Sequence, residues 1–260
     1  VILAIDIGNS NIVLSVFHNG KWTKTFRYET KQAQPELYYE IALRNILLEW
    51  EIHVSDINHA LLSSVVPYLN PVVTEAVWNV TGLKIFTLGP DVFKKLDIYI
   101  PHPYEIGADL VCNAYAALTH YHEKVIIVDF GTALSFTIAS RQKGIEGVTI
   151  APGLKTAIYA LSTQTAQLPA VPLELPDSAI GQNTTSAIQA GVLWGYVGLV
   201  KELIHRIQAE ERPDYKVVAT GGLSSILAPL ESEFDFLDKM LTLEGLRLIY
   251  LHQSANQSPG

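Results

Sequence analysis

Two carboxylates, each followed two residues later by glycine and then by a polar turn, are the groups in this sequence best suited to chemistry. Asp6 follows the apolar run 1–5 and precedes Gly8, Asn9, Ser10 and Asn11, after which Ile12 and Val13 open a second apolar run. Asp129 follows residues 125–128 and precedes Gly131 and Thr132, with a further apolar run beyond. The chemistry this pattern suits is phosphate binding. Glycine turns the backbone without a Cβ, so amide N–H groups can face an anionic oxygen, while Asn9, Ser10, Asn11, Thr132 and Ser135 add side-chain donors. Neither turn contains Lys or Arg. The charge of a polyphosphate must then be met by a metal ion, and a strand-end carboxylate such as Asp6 is a natural Mg²⁺ anchor. The Walker loop, which needs a lysine after its glycines, is a different device. One such hairpin alone is explained by Asp and Gly making a turn. Two copies about half a chain apart, in the same register against the strand end, point to a nucleotide.

The elements that must position these groups can be read around them. The runs before each Asp are short and β-branched and read as buried strands, and the runs after each turn as their hairpin partners. His18-Asn19-Gly20-Lys21 reads as a turn into a third strand ending near Thr30. Pro35 opens a helix to about Glu51 with Leu37, Ile41, Leu47, Leu48 and Trp50 on its apolar side. A buried strand at 60–66, a helix begun by Pro67 and Pro71 and ended by Gly82, and a strand at 84–88 follow. Residues 101–103 must be loop. Gly107-Ala108-Asp109 then leads into an apolar helix, where an aspartate in the first turn is explained by the helix dipole alone.

In the second half, Gly144, Gly147, Pro152 and Gly153 mark a turn-rich passage before a helix at 154–162. Residues 165–181 are a proline-punctuated loop of functional length. Asn183 or Thr184 caps a long apolar helix to about Gln208, in which Gly191, Gly195 and Gly198 admit a closely packed neighbour, from the same domain or a second subunit. A strand at 217–219 delivers Thr220-Gly221-Gly222, a turn able to lie flat against a base or ribose. Residues 253–260 are polar and read as frayed.

With 260 residues, 48% hydrophobic and 17% charged, the chain can bury a sizeable core, and the repeated hairpin divides it into similar halves, 1–118 and 119–260. A net charge of −8 without any basic run argues against nucleic-acid or anionic-membrane partners. The first residues lack the features of a signal peptide, no 18-residue apolar span suggests a membrane helix, and the expected location is the cytoplasm. The single cysteine, Cys112, excludes an internal disulfide or a cysteine-based zinc site and reads as a core residue. His120 and His122 are spaced wrongly to share a helix face.

Taken in order, DIGNSN at 6–11, PYEIGAD at 103–109, DFGTA at 129–133, IAPG at 150–153, GQNT at 181–184, QAGVLWG at 189–195 and TGG at 220–222 resemble the motifs of type III pantothenate kinases. That family lies in the superfamily of acetate and sugar kinases, heat-shock chaperones and actin. The resemblance implies an α/β fold of duplicated actin-like, ribonuclease H-like domains, each a mixed five-stranded sheet with flanking helices, with a cleft between them. It also implies a homodimer and ATP-dependent phosphorylation of pantothenate to 4'-phosphopantothenate, the first step of coenzyme A synthesis. On this resemblance Asp6, Ile7, Gly8, Asn9, Ser10, Asn11, Ile12 and Val13 hold the ATP phosphates, joined by Thr132. Asp109 accepts the proton of the substrate hydroxyl, and Asp129 binds a monovalent cation, K⁺ or NH₄⁺. Gly107, Ala108, Asp109, Leu110 and Thr184 contact pantothenate, Thr184 from across the dimer.

The sequence also departs from the family. Where the family commonly writes GADR, this chain has Leu110 in place of the Arg that pairs with the pantothenate carboxylate. Loss of such a charge-assisted contact weakens binding by roughly 1.5–3 kcal/mol unless another cation substitutes. Arg141 and Lys155 are the candidates. Ile100 stands where a substrate-contacting Tyr is expected, with Tyr99 beside it, Leu134 and Ser135 replace a Thr pair, Val148 a Gly and Ala190 a Ser. Two alternatives stay open at this level: a kinase of the same fold for another small alcohol, and a nucleotide-binding regulatory protein with weak turnover.

Overall fold

The apolar runs around Asp6 fold as the first two strands of a sheet, β1 (Ile2–Ile7) and β2 (Asn11–His18), followed by β3 (Lys21–Glu29). The computed structural model describes residues 1–31, 34–164, 171–210, 214–222 and 228–257. Asn19 and Gly20, both at positive φ, make the tight β2–β3 connection that primed hairpin turns require. Helix α1 (Glu36–Glu49), β4 (His59–Ser64), helix α2 (Asn70–Thr81), β5 (Phe86–Thr87), the short α3 (Pro90–Phe93) and α4 (Ala108–His120) complete the first half. The strand order is β3-β2-β1-β4-β5, antiparallel on the β1–β2–β3 side and parallel through β4 and β5. Leu3, Ile5, Ile7, Ile12 and Leu14 alternate into a core shared with Leu43, Leu47, Val73 and Val77 of the two helices.

Helix α1 meets the sequence expectation only in part. Leu47 and Trp50 are buried as expected, together with Tyr39, Leu43 and Ile46, while Leu37, Ile41 and Leu48 face solvent. Both faces of this helix carry apolar residues, so its period alone cannot choose between them. The choice is made by α2, whose Asn79 bridges Glu36 and Glu40 and whose backbone receives Arg44.

The second half repeats the plan with β6 (Lys124–Phe130), β7 (Ala133–Ser140), β8 (Gly144–Pro152), α5 (Leu154–Gln164), α6 (Thr184–Gln189), α7 (Gly195–Ala209), β9 (Lys216–Thr220) and β10 (Phe236–Leu237). Its order, β10-β9-β6-β7-β8, matches the first sheet strand for strand, with the same parallel and antiparallel pairings. The passage expected to be turn-rich is therefore a full strand. Gly147 sits at its paired edge opposite Ile138, beside an irregularity in the β7–β8 ladder, a place where strands tolerate glycine. Of the loop expected at 165–181, residues 165–170 lie outside those described.

Asn183 caps α6, accepting a bond from the Ser186 amide while the Ser186 hydroxyl accepts from the Asn183 amide. A five-residue π turn, Ala190–Trp194, joins α6 to α7. Contrary to the sequence expectation, the continuous stretch Thr184–Ala209 is long and apolar enough to cross a membrane by length and composition. Its inner face supplies Leu193, Tyr196, Val197, Val200 and Ile204 to the core of the second sheet.

The chain divides into two compact units, Val1–Ala116 with Thr242–Gly260, and Ala117–Leu241. The last helix, α8 (Leu241–Gln257), thus belongs with the first unit, whereas the sequence division at 118 leaves it with the second. The reason is a set of specific contacts. Gly245 lies where any Cβ would overlap the backbone of Cys112 on α4, Thr242 donates to Asn113, Tyr250 meets His59 and Phe86, and Trp22 donates to Glu244. Gln253, expected in a frayed tail, is buried and donates to the Lys95 carbonyl.

Candidate active site

In the first unit, Asp6 is the penultimate residue of β1 and pairs with Val13 of β2 and Ser63 of β4. The turn that follows is closed by the Gly8 amide donating to the Asn11 carbonyl at 2.9 Å. Asn9 and Ser10 are exposed at its tip and Asn11 is half-buried, so the turn presents its donors outward. Ile7 and Ile12 have their side chains in the core; what they can offer an anion is backbone alone. Val13 is half-buried beside Asp6. Two bonds from Thr30, just past β3, hold the turn from behind: its amide donates to Ser10 at 3.0 Å and its hydroxyl to the Gly8 carbonyl at 2.7 Å.

Asp109 stands in the first turn of α4, as its spacing requires, half-buried. Its carboxylate accepts the Leu110 amide at 2.8 Å and lies so close over Gly107 that a Cβ there would collide with Oδ1. Burial pushes the Asp109 carboxyl above the ordinary aspartate range, and the backbone amides of Leu110 and Asp109 itself offset only part of this. Cys112, one turn further along α4, is fully buried, and its thiol is pushed well up by burial, by Asp6 and by Asp109. Asp6 and Asp109 thus act on a common neighbour, which brings the phosphate turn and the acid of α4 to one place within the first unit. Ala108 is buried and Leu110 half-buried.

In the second unit, Asp129 is the penultimate residue of β6, paired with Ser135 and Thr220. The turn Gly131, Thr132, Ala133 is exposed, and the Gly131 amide donates to Ala133 at 3.1 Å. Gly153, just past β8, donates to the Thr132 carbonyl at 3.0 Å, and the carbonyls of Gly131 and Thr132 occupy the space a Cβ on Gly153 would need. Thr156, in the first turn of α5, donates its hydroxyl to the same Thr132 carbonyl at 2.8 Å.

Gly221, at φ +92°, backs onto Asp129: a Cβ there would stand 2.7 Å from Asp129 Oδ1 and 2.7 Å from the Phe130 carbonyl. The Thr-Gly-Gly turn therefore makes room for Asp129, a role its sequence did not suggest. A carboxylate and a backbone carbonyl brought together where only glycine fits are hard oxygen donors of the kind a monovalent cation takes, so Asp129 fits that ion. Among the described residues no group of three or more His, Cys, Asp or Glu could hold a metal by itself. Asp6 accordingly fits a Mg²⁺ ion held mostly by phosphate and water rather than by a protein cage.

Thr184 is exposed and lines an open groove of about 550 Å³ with Gly181, Gln182, Asn183, Ala187 and Ile188. Arg141 is engaged elsewhere, donating to the Leu118 carbonyl and Thr119, and Lys155 is exposed on α5. Ile100 is buried and Tyr99 is 70% exposed. Sequence reading missed Thr30 and Thr156, since a lone threonine after a strand or in a helix carries no pattern. It also missed Ser63, whose buried place opposite Asp6 follows only from the parallel register of β4.

A family model described as type III pantothenate kinase matches residues 2–206. The type III pantothenate kinase of Geotalea uraniireducens is 36% identical over 96% of this chain and 98% of its own length, and that of Geobacillus thermodenitrificans 37% identical over 96% and 97%. Among solved structures, the activator of the 2-hydroxyisocaproyl-CoA dehydratase from Clostridium difficile with bound ADPNP superposes with a TM-score of 0.53 at 9% identity, covering 99% of this chain and 98% of that one. That likeness concerns the fold, and it agrees with the duplicated five-stranded sheets expected of the actin-like kinases. Sequence relatedness over nearly the whole length goes further: the chain belongs to the type III pantothenate kinase family.

Proposed function

We propose that this chain transfers the terminal phosphoryl group of ATP to the primary hydroxyl of pantothenate, giving 4'-phosphopantothenate in the cytoplasm as the first step of coenzyme A synthesis. The observation that carries the reading is the half-buried Asp109 sharing the Cys112 neighbourhood with Asp6, in a chain of this family. The two turns, residues 6–13 and Thr132, grip the phosphates through backbone amides and the side chains of Asn9, Ser10, Asn11 and Thr132. Asp109 orients the hydroxyl and takes its proton, and a carboxyl raised by burial is a better proton acceptor than an ordinary aspartate. Phosphoryl transfer asks a protein mainly for such positioning and for charge neutralisation. Asp6 and Asp129 would hold Mg²⁺ and a monovalent cation, which supply the neutralising charge that turns without Lys or Arg cannot. Gly107 keeps the Asp109 carboxylate in place by having no side chain, and Ala108 and Leu110 flank the acid on the substrate side.

We also read the active species as a homodimer in which Thr184 completes the partner's substrate site. Gly191, Gly195 and Gly198 follow one another along one helical face, are exposed, and, among the described residues, have nothing outside their own helix within 4 Å of where a Cβ would stand. The second unit further exposes Ile150, Tyr159 and Ile180, at 65%, 69% and 79%. Light scattering on the purified chain is expected to give twice its mass. The test of the activity is conversion of pantothenate by the purified chain with ATP, Mg²⁺ and K⁺, followed by mass spectrometry. A product 80 Da heavier than pantothenate, about the mass of one added phosphoryl group, supports the reading; turnover of another alcohol with pantothenate untouched overturns it.

A further inference from the structure

Both turns are held from behind by a threonine hydroxyl that makes no ladder bond of its own. Thr30 donates to the Gly8 carbonyl at 2.7 Å and Thr156 to the Thr132 carbonyl at 2.8 Å. Each comes from outside its hairpin, one from the exit of β3 and one from the first turn of α5. Among the described residues no peptide bond is cis. In a trans peptide the N–H points opposite the carbonyl. A donor that fixes the Gly8 carbonyl on the protein side therefore turns the Asn9 N–H away from it, and fixing the Thr132 carbonyl does the same for Ala133. In the second turn the constraint is doubled, because the Gly153 amide reaches the same carbonyl.

We infer that Thr30 and Thr156 are positioning residues that hold the two turns with their amides aimed at phosphate. The inference rests on the reading of these turns as the ATP-phosphate site and adds to it two residues that carry no motif. Neither threonine is required to touch nucleotide. Their effect is to lower the reorganisation the turns undergo when an anion arrives, so their loss weakens nucleotide binding and leaves the alcohol site alone.

The experiment is Thr30→Val and Thr156→Val in the full chain, each with its Thr→Ser counterpart. Steady-state constants are measured for ATP and pantothenate separately, and ATP affinity by calorimetry. Loss of one bond of this kind predicts a KM and Kd for ATP about 3- to 10-fold higher in each Val variant, with the pantothenate KM within about twofold of the parent and ATP binding restored by Ser. A purely structural role would not separate the two substrates or be rescued by a hydroxyl. Val variants that bind ATP as the parent does, or Ser variants that fail to restore binding, overturn the inference. If the parent binds ATP but leaves pantothenate unchanged, the reading of the substrate fails while the calorimetry still decides the latches. If the parent binds no ATP, both fall.

Discussion

The two hairpins are built on the same strand plan but are locked differently. After β3 comes Thr30, and after β8 comes Gly153; each donates its amide to a turn carbonyl at 3.0 Å. The first turn closes from Gly8 to Asn11, the second from Gly131 to Ala133, one residue tighter. The tighter turn lies directly on the strand exit, so that position must be glycine and cannot also supply a hydroxyl. The hydroxyl comes instead from Thr156, three residues on. Duplication thus preserved the backbone position, which the ladder fixes, while the side chain that secures the turn moved to wherever space allowed. On the proposed reading the units also divide the chemistry: the first carries Asp109 and Asp6, the second Asp129 with Gly221 behind it.

The largest effect expected from breaking this division is in the first unit. Asp109→Asn should lower kcat by about 10²- to 10⁴-fold with the KM for ATP little changed, as measured by coupled assay. In the parent, kcat/KM should fall on the acid side with a midpoint above the ordinary aspartate range, since the base must be ionised. Stability runs the opposite way. A carboxyl raised on folding binds its proton more tightly in the native state, so its contribution grows as pH falls through the folded value. Asp109→Asn should remove that pH dependence, visible in thermal melts across the acid range.

The hairpin contrast is sharpened by alanine at one glycine beside each turn. Gly153→Ala must displace the Gly131–Thr132 backbone and should cost about 1–3 kcal/mol or more, whereas Gly8→Ala meets only the Asn11 carbonyl, at 3.2 Å. Equal losses in urea melts would erase the proposed asymmetry. Gly221→Ala adds strain at positive φ of about 1–2 kcal/mol and crowds Asp129, so it should blunt the response of activity to K⁺ while Gly82→Ala, at φ +68° with open space, does not. Smallest is the α6 cap: Asn183→Ala should cost about 1 kcal/mol in thermal stability without altering the KM for ATP.

Much of this arrangement was legible in the sequence because its signals are local. Asp-x-Gly at a strand end, Gly82 closing α2 and Asn183 opening α6 are settled by a few neighbouring residues, and all sit where the pattern placed them. The face of α1 was legible only for Leu47 and Trp50, since both sides are apolar and α2 decides the rest. Strand β8 was hidden by Gly144, Gly147 and Pro152, which read as turns until the β7 ladder pairs them. Gly221 serves Asp129 across the parallel β6–β9 pair, a relation no local spacing encodes. Leu110 remains a departure from the family pattern; Arg141, a proposed substitute for the missing cation, is engaged with the end of α4.

The return of α8 to the first unit governs the order in which the protein can be made. A ribosome delivers the first sheet early, but Gly245 and the residues around it, which close over Cys112, emerge only after the whole second unit has been synthesised. Within this sequence the unit bearing Asp109 is therefore begun before the second unit and completed after it. Until α8 arrives, α4 lacks the packing that Gly245 gives it over Cys112.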